Sequence, residues 1–209
     1  MKPRFACTLV FLLPIASLAR AQQRAEYSID RKMSRLEINA YREGLLKAFG
    51  HDHLIEASEV SGSVEFDRQK IENSSVRLRV EAKSLTATDP GESEKDRRDV
   101  QATMISEKVL DVSKFPEIVF YSTSVSDVRQ TADGWELTLF GKLDLHGVEK
   151  PVRLELRIHS EADELRAQGE ASLLQTEYGI KPVTVAGGSV KVKDKLKISF
   201  AIVATRTNP

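Results

Sequence analysis

Two of the four histidines in this chain stand two residues apart, in Gly50-His51-Asp52-His53. In extended backbone, residues two apart project to the same face, so both imidazoles share one side and Asp52 takes the other. That spacing suits a zinc or copper ion held between two ring nitrogens. A full site needs a third ligand, and nothing nearby in sequence is an obvious choice. His146 and His159 serve only if the fold brings them close. The same two rings also fit the polar head group of a ligand, or a polar turn bonded to backbone. No other cluster is as pointed. There is no G-x-S-x-G elbow, no P-loop and no dinucleotide fingerprint. Carboxylates are plentiful but fall on alternating positions, as on a solvated face. Asn73-Ser74-Ser75 matches the short glycosylation sequon. With no catalytic motif, the chain reads as a binding protein rather than an enzyme.

The elements that must position these residues are mostly strands. Leu36, Ile38 and Ala40 alternate with Arg35, Glu37 and Asn39, and Val60 to Phe66 reads as another strand. The cleanest alternation puts Val76, Leu78, Val80 and Ala82 on one face and Arg77, Arg79, Glu81 and Lys83 on the other. Ile118 to Val125 follows. Asp133-Gly134 marks a hairpin turn, and His146 to Pro151 a second. Trp135, Leu137, Leu139, Gly141 and Leu143 lie between them on one face, and Val152, Leu154, Leu156 and Ile158 alternate beyond. Leu165 to Leu174 is a weaker strand, and Leu196, Ile198, Phe200 and Ile202 form the last.

About eight strands joined by short turns predict an all-β fold, an up-and-down antiparallel barrel, in which closure removes exposed edges. One helix is expected between Glu92 and Val109. Pro90-Gly91 breaks the preceding structure, Ser93 caps, and Glu94 and Asp96 suit the first turn. Its narrow apolar stripe, Val100 and Met104, makes it a surface connector or a lid over the mouth. The glycine-rich segment Tyr178 to Val190 reads as a loop able to border that mouth. The candidate interior residues are Val76, Leu78, Val80, Phe120, Trp135, Leu137, Leu139, Leu154, Leu156, Ile198 and Phe200. They line a cavity or fill it, since an eight-stranded barrel does either.

The start of the chain is a targeting signal by its pattern. Lys2 and Arg4 precede an apolar run from Phe5 to Leu18, and Ala19-Arg20-Ala21 supplies the small residues a signal peptidase reads. The run is too short to span about 30 Å of hydrocarbon. Cleavage is expected after Ala21, leaving one domain, residues 22–209, in the periplasm or outside the cell, with no membrane span. Cys7 is the only cysteine and leaves with the signal, so disulfides, cysteine zinc sites and thiol catalysis are excluded. The 31 basic residues lose Lys2, Arg4 and Arg20, which leaves 28 against 31 acidic ones. A net charge of −3 with no basic patch argues against a nucleic-acid partner.

Together these parts resemble the YceI-like family of lipid or polyisoprenoid-binding proteins. Tyr27-Ser28-Ile29-Asp30 looks like its first strand, and Val60-Ser61-Gly62-Ser63-Val64-Glu65-Phe66-Asp67 is similar to a later one. Lys83-Ser84-Leu85-Thr86 resembles its S-L-T element. Phe115-Pro116-Glu117-Ile118-Val119-Phe120, with Ser122-Thr123, resembles its P-x-I-x-F-x-S-T signature. The run from Gly141 to Val152 resembles its G-x-L-x-L-x-G-V-x-K-P-V hairpin, and Tyr178-Gly179-Ile180 its late aromatic-Gly-Ile element. The resemblance implies an extended lipocalin-like barrel with a small helix, exported, holding an isoprenoid chain such as a quinone tail or polyprenyl lipid. One departure marks a subgroup. Where many members carry a histidine followed by a short apolar-glycine segment, this chain has Ala48-Phe49-Gly50-His51-Asp52-His53. Three readings follow: an amphiphilic-lipid carrier, a metal-binding or metal-dependent protein centred on His51 and His53, and a packed barrel acting through surface contacts.

Overall fold

Apolar and polar residues alternate along this chain because each strand has one dry face and one wet face. The computed structural model describes residues 24–44, 52–185, 187 and 189–207. The expected signal segment, and with it the cleavage site, lies outside the described residues, as do His51 and the stretch 45–50. Six short strands open the fold: β1 (Ala25–Ile29), β2 (Arg35–Glu43), β3 (His53–Ala57), β4 (Val60–Phe66), β5 (Ser75–Glu81) and β6 (Leu85–Ala87). After the helix α1 (Glu94–Ile105) come β7 (Glu117–Thr131), β8 (Gly134–Leu145), β9 (Val148–Glu161), β10 (Glu164–Leu174), the two-residue β11 (Thr184–Val185) and β12 (Val190–Arg206).

All pairings are antiparallel. Around the ring they run β1-β4-β5-β7-β8-β9-β10-β12, and β12 returns to β1 through Tyr27↔Arg206 and Ile29↔Ala204. Toward the other end β12 pairs with β2, β2 with β3 and β3 with β6. Thus β1 and β2, β3 and β4, and β5 and β6 each act as one interrupted strand. With β7 to β10 and β12 they make a closed eight-stranded up-and-down barrel, the fold class the alternation predicts. The first interruption keeps its bonds by side-chain substitution. The Asp30 carboxylate accepts from the Lys32 and Met33 amides (2.8 and 3.1 Å), and the Ser34 hydroxyl exchanges bonds with the Val203 backbone.

The turns differ in detail from the sequence reading. Ala132 and Asp133 form the first loop, and Gly134 already belongs to β8. The second loop is only His146 and Gly147, at φ 55° and 71°, so β9 begins at Val148 rather than beyond Pro151. Both residues being left-handed gives the turn whose twist matches a hairpin. A Cβ on Gly147 would stand 2.5 Å from the Phe115 ring.

The helix is capped as expected, with the Ser93 hydroxyl accepting from the Asp96 amide at 3.1 Å. It lies against β6, whose outer edge has no strand neighbour among the described residues. Gln101 supplies one. Its Nε2 donates to the Leu85 carbonyl at 2.8 Å, and its Oε1 accepts from the Ala87 amide at 2.9 Å. One side-chain amide thereby stands in for a paired residue. Gln101→Leu is expected to lose about 1–3 kcal/mol in urea unfolding, because two partly buried backbone groups lose their partners.

At the end of the barrel holding the β7–β8 and β9–β10 turns, Tyr27, Phe66 and Trp135 stack edge-on, with ring centres 6.3 and 5.6 Å apart. Buried Ile71 adds to this layer from the short 3-10 turn Ile71–Asn73. Asp67 pins that turn, accepting from the Gln69 and Lys70 amides and from Asn73 Nδ2.

Candidate functional site

The inward faces of the strands do not meet. They enclose a cavity of about 830 Å³, floored by Phe66 and Ile71. Val76, Leu78, Val80, Phe120, Leu137, Leu139, Leu154, Leu156, Ile198 and Phe200 all stand on its wall, so the dry face read from alternation is the cavity face. Trp135 is the exception and corrects the expectation for that residue. Its ring is not on the wall but in the aromatic layer beneath, edge-on to Phe66, with the Arg68 guanidinium 5.9 Å from its centre. The first residues of β8 lie below the cavity floor, where an inward ring packs rather than lines. Room is made partly by small residues on β10. A Cβ on Gly169 would meet the Glu155 carbonyl at 2.6 Å and the Phe200 ring at 2.8 Å.

The helix, expected as a surface connector or a lid over the mouth, borders the cavity. Its stripe, Val100 and Met104, joins the cavity wall, with Asp99 and Thr103 beside it. The loop expected to border the mouth also contributes, through Tyr178, Ile180 and Val183, with Glu177 just before it. It is firmly tied. The Gln175 amide donates to the Lys193 carbonyl at 2.8 Å, and the Thr176 amide and hydroxyl donate to Asp194, which holds that carboxyl below its ordinary range. The Tyr178 carbonyl accepts from His146 Nδ1 at 3.2 Å. Burial pushes the Tyr178 phenol above its ordinary value, and Glu177 adds to the shift.

Polar residues gather on the cavity wall at the end opposite the aromatic layer. Arg42, His53 and Lys191 come from the ends of β2, β3 and β12. His53 opens β3 opposite Ala40. Its Nδ1–H donates to Asp89 Oδ2 at 2.9 Å, and Asp89 Oδ1 accepts from the Leu54 amide at 2.5 Å. Asp89 is only 2% exposed. A carboxylate can only accept here, so the ring proton sits on Nδ1 and Nε2 is the nitrogen left for a ligand. The two basic side chains here face carboxylates: Arg42 faces Asp52 at 3.8 Å, and Lys191 faces Glu43 at 3.3 Å.

His51, the other half of the motif, lies outside the described residues. His146 bonds Tyr178, and His159 Nδ1 donates to the Asp133 carbonyl at the far end of the barrel, so neither joins His53. Among the described residues, no three of His, Cys, Asp and Glu come together as a metal-holding group. Asp89 was not found from sequence. Its only signal is its place before the Pro90-Gly91 break, one residue beyond Thr88, where alternation no longer assigns a face.

Comparison with known proteins agrees with this geometry. The model of the YceI-like domain matches residues 27–204. A UPF0312 protein of Yersinia enterocolitica is 30% identical over 171 residues, covering 81% of this chain and 74% of that protein. Protein YceI of Salmonella arizonae is 30% identical over 141 residues, 67% of this chain and 65% of that one. Among solved structures, BcnA of Burkholderia cenocepacia superposes with a TM-score of 0.65 at 18% identity, covering 85% of this chain and 99% of its own. The YCEI protein of Campylobacter jejuni gives 0.55 at 12% identity, covering 74% and 85%. These two likenesses speak for the barrel alone. The chain belongs to the YceI-like family.

Proposed function

We propose that this YceI-like barrel is an exported binding protein for an amphiphilic lipid of isoprenoid type, a quinone or polyprenyl chain, with the tail in the cavity and the head group at His53. The observation that carries the reading is the largely apolar cavity of about 830 Å³, with Arg42, His53 and Lys191 grouped at one end. Each methylene moved from water into such a wall contributes about 0.8 kcal/mol, so a long tail binds with few polar contacts. The pairing of Arg42 and Lys191 with carboxylates supports a neutral head group, a hydroxyl or quinol, over a phosphate. His53 Nε2 is then the acceptor for the head group's proton. Binding without catalysis accounts for these features: a wall of aliphatic side chains and one oriented imidazole.

Native mass spectrometry of protein purified from its own export compartment tests this. A lipid-sized mass difference, removed by organic extraction, is the expected result. A metal-sized difference abolished in a His51→Ala/His53→Ala variant would favour the metal reading instead. Protein with neither would point to the surface-contact reading. The same sample is expected to begin at Gln22 by N-terminal sequencing; a retained leader in the membrane fraction would replace export with anchoring.

A further inference from the structure

The barrel wall opens between β9 and β10. The β9–β10 ladder runs from Glu161↔Glu164 to Glu155↔Glu170 and stops, although β10 continues to Leu174 in register with β12. Among the described residues, no backbone hydrogen bond joins residues 148–154 to β10. Pro151 supplies a reason. Leu145 and Val148 flank a two-residue turn, so they are a mutually bonded pair. Alternation then aims the backbone of residues 148, 150, 152 and 154 at β8, and that of 149, 151 and 153 at β10. Pro151 has no N–H to offer on the β10 side.

The cavity reaches this seam. Inward strand residues alternate, yet 151–154 and 171–173 border the cavity consecutively, on both flanks of the gap. Consecutive residues share a void where it passes between strands or around a strand's first residues, as at 74–76 and 190–192, whereas 151–154 lie inside β9. The charged neighbours are drawn away from the gap. Arg153 bonds Thr138 on β8 and pairs with Glu155 on its own strand, while Glu170 pairs with Lys197 on β12. Val152, Leu154 and Leu173 form an apolar slot, and Leu174 is exposed at its rim. The aromatic layer fills one end of the barrel, and the tied 3-10 turn Gln175–Tyr178 limits the slot at the other.

We infer that the seam between β9 and β10 is the portal through which the hydrocarbon chain of the ligand enters and leaves the cavity. The inference rests on the lipid-binding reading above. A side slot lets a long chain slide in along its length, with each methylene passing from water to wall over a short path.

Arg153→Cys/Ser172→Cys tests it. The two positions would face each other if the ladder continued in register, both are exposed, and the chain beyond Cys7 has no other cysteine. The probe is all-trans-retinol, a fluorescent isoprenoid alcohol, followed by stopped flow. In the disulfide form, association and dissociation are both expected to slow by about tenfold or more, with Kd held within about twofold, because a gate moves the barrier and not the end states. Reduction should restore the parent rates. If the disulfide does not close, dibromobimane bridges the same pair of thiols and the same slowing is expected. Unchanged rates in a form shown by mass to be bridged would overturn the portal while leaving the lipid reading intact. No retinol binding by the parent protein would overturn both.

Discussion

Leu139→Asp is expected to destabilise the barrel by about 4 kcal/mol or more, since the carboxylate has neither water nor a donor in its new place. Leu139 is 6% exposed, and its strand neighbours are Val125 and Leu154, which offer nothing to an anion. The variant carboxyl escapes by staying protonated, so its folded-state pKa rises above the unfolded value of about 3.9. The sign follows. The loss is small below the unfolded pKa and grows as pH rises through it, because the unfolded chain then gives up its proton first. Urea unfolding at acid and neutral pH measures this. Arg79→Ala and Glu155→Ala serve as outward controls. Arg79 pairs with Glu117 across two half-exposed side chains, a contact worth about 0–1 kcal/mol. Equal losses from the inward and outward sets would mean that the two faces had been assigned wrongly.

That face assignment was legible because period-two alternation survives wherever a strand separates oil from water. Val76, Leu78 and Val80 reach the cavity wall as read, and so do Leu154 and Leu156. The strand Val60–Phe66 has the expected bounds. Alternation fails in short pieces. β3 and β6 have five and three residues, too few to show a period beside a bend, and both were missed as strands. It also fails at ends. Trp135 keeps its inward phase but falls below the cavity floor, because phase says nothing about height along the axis. Hollowness was beyond reach for a similar reason. The same aliphatic residues line or fill a barrel, and the choice depends on ring size and on small residues such as Gly169 acting together. The candidate site was half visible. The His53 position was marked by its motif, but its partner Asp89 is 36 residues away and meets it only because β6 pairs with β3.

Asp89 is therefore where a single substitution reports most on the site. Asp89→Ala is expected to cost about 2–4 kcal/mol, because the Leu54 amide and the His53 Nδ1–H both lose a buried acceptor. Asp89→Asn separates stability from chemistry. Its amide oxygen still accepts from Leu54, but its NH₂ group now faces His53. The imidazole answers by moving its proton, so that Nδ1 accepts and Nε2–H points away from residue 89. A head-group hydroxyl that donated to Nε2 must then accept from it, whereas a carbonyl head group gains a donor. Nitrogen-15 NMR of the His53 ring is expected to show the Nδ1–H tautomer in the parent and the Nε2–H tautomer in Asp89→Asn. Retinol affinity should fall less than in Asp89→Ala, since an alcohol bonds in either direction. If the tautomer is the same in both proteins, then Asp89 does not orient the ring, and the case for His53 as the head-group acceptor fails with it.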